Sequence, residues 1–143
     1  MKISTKGRYA LRLIDRLSVL ASSKAHVIRD GKRQEISIKY LEQIATPLIR
    51  AGLIKSVRGA QGGYSLTREM DKYTAKDILV AVEGPISCVA CLETEPNQCP
   101  RYSECLTLPF YKGLNKVITD YLESYTLEDL VEMSKNKVWD YVI

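Results

Sequence analysis

A mainly α-helical fold with one small β-hairpin is predicted by three features of this 143-residue sequence. Apolar residues recur at helical spacing in several separate runs. Two short strand-like runs flank a glycine-rich turn. Charge also divides the chain. Residues 1–68 hold fourteen Lys and Arg against four Asp and Glu, a balance of +10, while the remainder holds seven against thirteen, a balance of −6. A basic front and an acidic back imply that the front meets a polyanion.

In chain order, residues 6–22 predict a helix. Ala10, Leu13, Ile14, Leu17, Leu20 and Ala21 form one apolar stripe, with Lys6, Arg8, Arg12 and Arg16 on the other side. The segment "SSKAHVIRDGKRQ" is polar and poorly periodic, and Gly31 weakens any helix there. A clearer helix follows in "EISIKYLEQIATPLIRAGLI". Ser37 suits its N-cap, Leu41, Ile44, Ala45 and Leu48 its buried face, and Gly52 its stop. Lys39, Tyr40, Glu42, Gln43 and Thr46 are expected to face outward, and Pro47 to kink the last turns. "LIKSV" and "GYSLT" then read as a hairpin around "RGAQG".

Two helices followed by a hairpin with arginine near its tip make a winged helix-turn-helix. A helix fits the major groove of duplex DNA, about 12 Å wide. A basic wing reaches the neighbouring minor groove, where A·T tracts concentrate negative potential. On this reading Gln43 reads adenine and Glu42 accepts from cytosine N4. Ser37, Lys39 and Tyr40 are placed for phosphates. Arg58, with Gly59 and Gln61 beside it in the turn, belongs to the minor groove, and Lys6 and Arg8 add to the basic surface.

In the acidic part, "TAKDILVAVEG" predicts a short helix capped by Thr74 and stopped by Gly84. Next, "LTLPFYKGLNKVITDYLESYT" carries Tyr111, Leu114, Ile118, Tyr121, Leu122 and Tyr125 at near-helical spacing, a candidate dimerisation helix. "TLEDLVEMS" opens a further helix with Thr126 and Asp129 as a capping pair, and the apolar tail "VWDYVI" is expected to pack on a partner chain. The expected divisions are a DNA-binding unit at 1–84, a cysteine-rich loop at 85–107, and a dimerisation helix with tail at 108–143.

All four cysteines of the chain lie in "CVACLETEPNQCPRYSEC", residues 88–105. Structural zinc prefers two short C-x2–4-C pairs, and only one is present. The segment's prolines and Asn97 predict a loop. A loop holding several thiolates can wrap an iron–sulfur cluster.

Taken together, "STKGRYAL", "ISIKYLEQ", "RAGLIKSVRGAQGGYSL", "VEGPI" and the cysteine loop followed by "TLEDL" resemble the IscR/NsrR/CymR family of bacterial winged-helix regulators. The resemblance covers nearly the whole chain. It implies a homodimer that binds a palindromic operator, with a cluster, where one is present, modulating that binding. It also implies Cys91, Cys99 and Cys105 as cluster ligands. The fourth ligand departs from the pattern: IscR-like members carry a histidine where this chain has Leu108, and the acidic residue of NsrR-like members is matched by Arg8. His26 lies in the linker. Cys88 is the local substitute, with Glu93, Glu95 and Glu104 as alternatives, and the cluster type, 2Fe–2S or 4Fe–4S, stays open.

No run approaches the ~18 apolar residues of a membrane span, and the start lacks the pattern of a signal peptide. The expected address is the cytoplasm, where thiols stay reduced. No nucleophile–base pair is visible, so an enzyme is not expected. The alternatives are a thiol, zinc or partner-controlled regulator of the same fold, and an electron-transfer protein. A basic winged helix has no use in the last.

Overall fold

The computed structural model describes residues 1–22, 37–59 and 62–135. Expectations for the segment 23–36, for His26 and Gln61, and for the tail 138–143 lie outside the described residues.

Helix α1 spans Thr5–Ser22 and buries Ala10, Leu13, Ile14 and Leu17. Its first turn is capped from a distance. Ser4 donates from its backbone N–H (2.9 Å) and its hydroxyl (2.5 Å) to the Glu83 carboxylate, and its hydroxyl accepts from Gly7 N–H. A Cβ at Gly7 would meet that carboxylate, so a side chain there would push Glu83 off its bonds to Ser4.

Helix α2, Ile38–Arg50, buries the four predicted residues, Leu41, Ile44, Ala45 and Leu48. Ser37 caps it by accepting from Tyr40 N–H at 3.1 Å. The helix continues through Pro47 to Arg50. It ends where Gly52 takes φ 72°. Gly52 N–H then donates to Ile49 O and Leu53 N–H to Leu48 O, which satisfies the last carbonyls. Each large aliphatic buried on this face contributes roughly 1.5–3 kcal/mol.

Strands β1 (Ile54–Val57) and β2 (Gly63–Leu66) pair antiparallel, with Ile54 opposite Leu66 and Val57 opposite Gly63. Helix α3, Ala75–Glu83, starts at a capping box in which Thr74 and Asp77 exchange backbone–side-chain bonds of 3.0 Å. Residues 85–107 follow as a loop with two short 3-10 turns. Helix α4 is Leu108–Ser124 and α5 is Leu127–Lys135, and the predicted Thr126–Asp129 pair caps α5.

The core joins both ends of the chain. Leu127 and Val131 of α5 pack with Ile14, Ile44, Leu48, Ile78 and Tyr73. An isolated antiparallel bridge, Thr74 to Thr126, ties the start of α3 to the α4–α5 junction.

The predicted stripe on α4 is corrected by the structure. It divides between two faces, because one helix side packs on α3 and the other has no covering element among the described residues. Tyr111, Ile118, Leu122 and Tyr125 are half-buried. Leu114 and Tyr121 join Phe110 and Val117 on an exposed ridge.

Candidate nucleic-acid interface and cysteine loop

Helix α2 presents Lys39, Glu42, Gln43 and Thr46 to solvent, as its periodicity predicts. Between α2 and the hairpin lies a groove of about 590 Å³, whose lining includes Ile38, Leu41, Glu42, Val57, Arg58 and Tyr64. Burial, and then the nearby Glu42 charge, push the Tyr64 phenol up. Glu42 and Tyr64 therefore face each other across the groove. Arg58 and Gly59 are exposed at the hairpin end. Gly59 takes φ 116°, and Gly62 N–H closes the turn on Gly59 O at 2.9 Å. A Cβ at Gly62 would lie 2.6 Å from Val57 O, so this turn also depends on glycine.

Tyr40 departs from the expectation that it faces freely outward. It is half-buried, its ring edge-on to Tyr9 with centroids 6.0 Å apart, and the Arg12 guanidinium lies over Tyr9 at 5.2 Å. Tyr40 keeps its position beside Ser37 and Lys39, but as part of an aromatic contact between α1 and α2. Tyr9 and Tyr64 are not singled out by the sequence, and Arg12 is read there only as part of the basic side of α1. The signal of Tyr9 and Tyr64 is tertiary, since each gains its place where two elements meet, whereas Arg12 stacks on Tyr9 within α1. Arg8 is exposed and donates to Thr5 Oγ1 at 3.0 Å, while Lys6 is half-buried.

The cysteine loop is fastened to α4. Cys88 N–H donates to Asn115 Oδ1 at 3.0 Å, and the Cys88 thiol donates to Tyr111 O at 3.4 Å. Further along, Lys112 donates to Tyr102 Oη at 3.2 Å and sits over its ring. Cys99 N–H bonds Asn97 Oδ1 at 2.9 Å. A side-chain hydrogen bond from Thr107, and then its backbone N–H, hold the Cys105 thiol below the usual range. All four cysteines are half-buried free thiols. Among the described residues, no three Cys, His, Asp or Glu side chains are gathered as ligands around a metal are. The donor chemistry suits a cluster, since four soft sulfur ligands share one loop, but the loop does not hold them in a preformed cage.

A capped helix with a polar outer face, a glycine-closed hairpin bearing arginine beside it, and a shared core behind both define a winged helix-turn-helix DNA-binding regulator of transcription. The family described as "Rrf2: Iron-dependent Transcriptional regulator" matches residues 3–133. The chain belongs to that family. It is 38% identical to the HTH-type transcriptional regulator CymR of Bacillus subtilis over 143 residues, 99% of this chain and 98% of CymR. The structure is similar to that of CymR, the global cysteine regulator of B. subtilis, with a TM-score of 0.68 and 37% identity over 93% of this chain and 98% of that one. It is also similar to T. potens IscR, with a TM-score of 0.71 and 31% identity over 96% and 91% of the two chains. These relatives are regulators of transcription, not enzymes.

Proposed function

We propose that this protein is a cytoplasmic homodimeric repressor whose cysteine loop sets its operator affinity through the dimer helix. Residues 1–84 form the DNA-binding unit, 85–107 the sensing loop, and 108–143 the dimerisation segment. The observation that carries the reading is the attachment of Cys88 to α4. The loop begins on Asn115 and Tyr111 of the helix whose other face exposes Phe110 (68%), Leu114 (40%), Val117 (65%) and Tyr121 (60%). That 4-3-4 spacing is the seam of a helix pair, and an apolar ridge of this kind calls for a partner. A second copy of α4 is self-complementary across a two-fold axis, which suits a palindromic operator. Among the described residues no helix is long and apolar enough to cross a membrane.

On this reading α2 enters the major groove. Gln43 and Glu42 meet base edges, Ser37, Lys39 and Tyr40 meet phosphates, and Arg58 with Gly59 and Gln61 reaches the minor groove. Lys6 and Arg8 add charge along the backbone. Cys91, Cys99 and Cys105 would hold an iron–sulfur cluster, 2Fe–2S or 4Fe–4S. Cys88 joins them only by releasing Tyr111 O. When bound, the cluster supplies iron–thiolate links that select one loop conformation. The Cys88–Asn115 bond passes that choice to α4, which biases the spacing of the two recognition helices.

A second reading is favoured by the ungathered thiols. It is a cluster-free regulator of the same fold, governed by thiol chemistry, zinc or a partner protein. Iron and acid-labile sulfide on anaerobically purified protein decide between the two. Near-stoichiometric amounts, lost in Cys99→Ala, support the cluster. Protein that stays free of iron after anaerobic reconstitution sinks it and leaves the DNA-binding reading standing.

A further inference from the structure

Tyr73 has no place in either the recognition surface or the cysteine loop, yet it is one of the most completely buried side chains in the molecule, with no exposed surface. Its hydroxyl donates to Leu53 O at 2.7 Å and accepts from Thr67 N–H at 3.0 Å and Arg68 N–H at 3.3 Å. A phenol has one hydrogen to give and two lone pairs, so these three bonds use its full capacity. The Thr67 hydroxyl lies 3.4 Å from the same oxygen and donates to Gly52 O at 2.6 Å. The Arg68 guanidinium lies over the ring at 5.1 Å.

The partners lie at both feet of the wing. Leu53 immediately precedes β1, and Thr67 immediately follows β2. One hydroxyl therefore clasps the wing where it leaves the core. The main chain of Tyr73 points the other way in connectivity. Tyr73 O accepts from Leu127 N–H at 3.1 Å, and the next pairing, Ala75 N–H to Tyr125 O at 2.9 Å, completes the tie. Residues 125 and 126 join α4 to α5, and Leu127 opens α5. Through its backbone Tyr73 thus binds the start of α5, with Ala75 beside it holding Tyr125 at the end of the ridge-bearing helix, and through its side chain it binds the base of the wing.

We propose that Tyr73 is the positioning residue that couples α4 to the wing, so that a change in the dimer helix alters how Arg58 meets DNA. The coupling rests on the proposed DNA contact of Arg58 and on α4 as the dimer helix. Arg58 stands five residues beyond Leu53, on the order of 15 Å along an extended chain, so a small tilt at the clasp becomes a larger displacement at the tip. Groups that pack as rigid bodies transmit such tilts when their arrangement has alternatives. The polar clasp matters here because a ring alone would fill the same space without fixing the two strand ends to each other.

The test is a double-mutant cycle in the full chain with Tyr73→Phe, Arg58→Ala and the double variant. Binding is measured to a duplex selected from random sequence by the wild-type protein, in forms with A·T-rich and G·C-rich flanks. The expected result is a loss of about 3- to 10-fold for Tyr73→Phe on the A·T-rich form and a smaller loss on the G·C-rich form. Tyr73→Phe should then cost little more once Arg58→Ala is present. Should Tyr73→Phe fail to fold, Thr67→Val removes the neighbouring bond to Gly52 O at an exposed position and should reproduce the flank dependence at smaller size. Equal losses on both flanks, losses that multiply in the double variant, or wild-type binding by the clasp variants would each overturn the coupling while leaving the winged-helix reading intact. If instead Arg58→Ala binds like wild type, the wing contact itself fails, and the coupling falls with it.

Discussion

The recognition unit and the cysteine loop are built on opposite plans. Around α2 and the wing, nearly every stop and start is fastened, by Ser37 on Tyr40 N–H, Gly52 and Leu53 on the last carbonyls of α2, and Gly62 on Gly59, and from farther along the chain by Tyr73 at the wing base. Behind them lies a core of aliphatic side chains. The loop from 88 to 107 has no fully buried residue and is held mainly at its ends, by Cys88 on α4 and by Lys112 against Tyr102. One part is a preset reader. The other is anchored at its margins and leaves its thiols free to be drawn together. A ligand acts on such a protein only by favouring one arrangement over another, and the loop is where little burial opposes a new arrangement.

The sharpest way to break this comparison is to remove the partner rather than the reader. Val117→Asp places a charge in the centre of the α4 ridge, and in a two-fold pair it faces its own copy across the seam. Sedimentation should show monomer. Operator affinity should fall by at least ~100-fold, since two half-sites are then read singly, while helix content and melting stay near wild type. A Val117→Asp protein that remains dimeric would take α4 out of the interface.

Next in size is a contrast of packing. Ile44→Ala deletes fully buried methyl groups and should cost about 2–5 kcal/mol in denaturant unfolding. Leu92→Ala, at a half-buried position in the loop, should cost less than about 1 kcal/mol. Equal losses would mean that the loop belongs to the cooperative core. On the reader's surface, Arg58→Ala should weaken binding by about 1–3 kcal/mol on A·T-flanked DNA. Gln43→Ala should relax sequence preference more than it lowers nonspecific affinity. Gel-shift titrations against matched and altered duplexes separate the two effects.

Much of the reader was legible in the sequence because its signals are local. The 3.6-residue period picks out Leu41, Ile44, Ala45 and Leu48, and small hydroxyls at Ser37, Thr74 and Thr126 mark helix starts. The ridge on α4 was not legible as such. Both of its faces are apolar, and only the packing of α3 decides that Tyr111 and Ile118 turn inward while Phe110 and Val117 stay out. The clasp was hidden for a different reason. Tyr73 bonds a backbone carbonyl twenty residues away, and nothing in the residue types at either end announces that pairing. For the cysteines, spacing suggested a shared ligand, but where a loop places its thiols depends on contacts with α4 that no spacing encodes.

The smallest predicted effect distinguishes two carboxylates that the fold treats oppositely. Asp129 caps α5, and its bonds with the Thr126 backbone N–H and hydroxyl hold it below the usual carboxylate range. Its contribution is present at neutral pH and is lost as pH falls through its folded value. Asp15 is half-buried on α1. Burial pushes its carboxyl up, although the Ser134 hydroxyl and Arg16 act the other way. The folded state therefore favours the protonated acid. Stability associated with Asp15 is greatest below its unfolded pKa, roughly 3.9, and declines as pH rises through the folded value. Asp15→Asn keeps an acceptor for Ser134 and removes the charge. It should raise stability at pH 7 by about 0.5 kcal/mol or less, and the gain should vanish near pH 4. Asp129→Ala should do the reverse, costing stability at pH 7 and little in acid. Parallel melting curves from pH 4 to pH 8 read both signs. A gain for Asp15→Asn that persists in acid would mean that shape, not charge, governs that site.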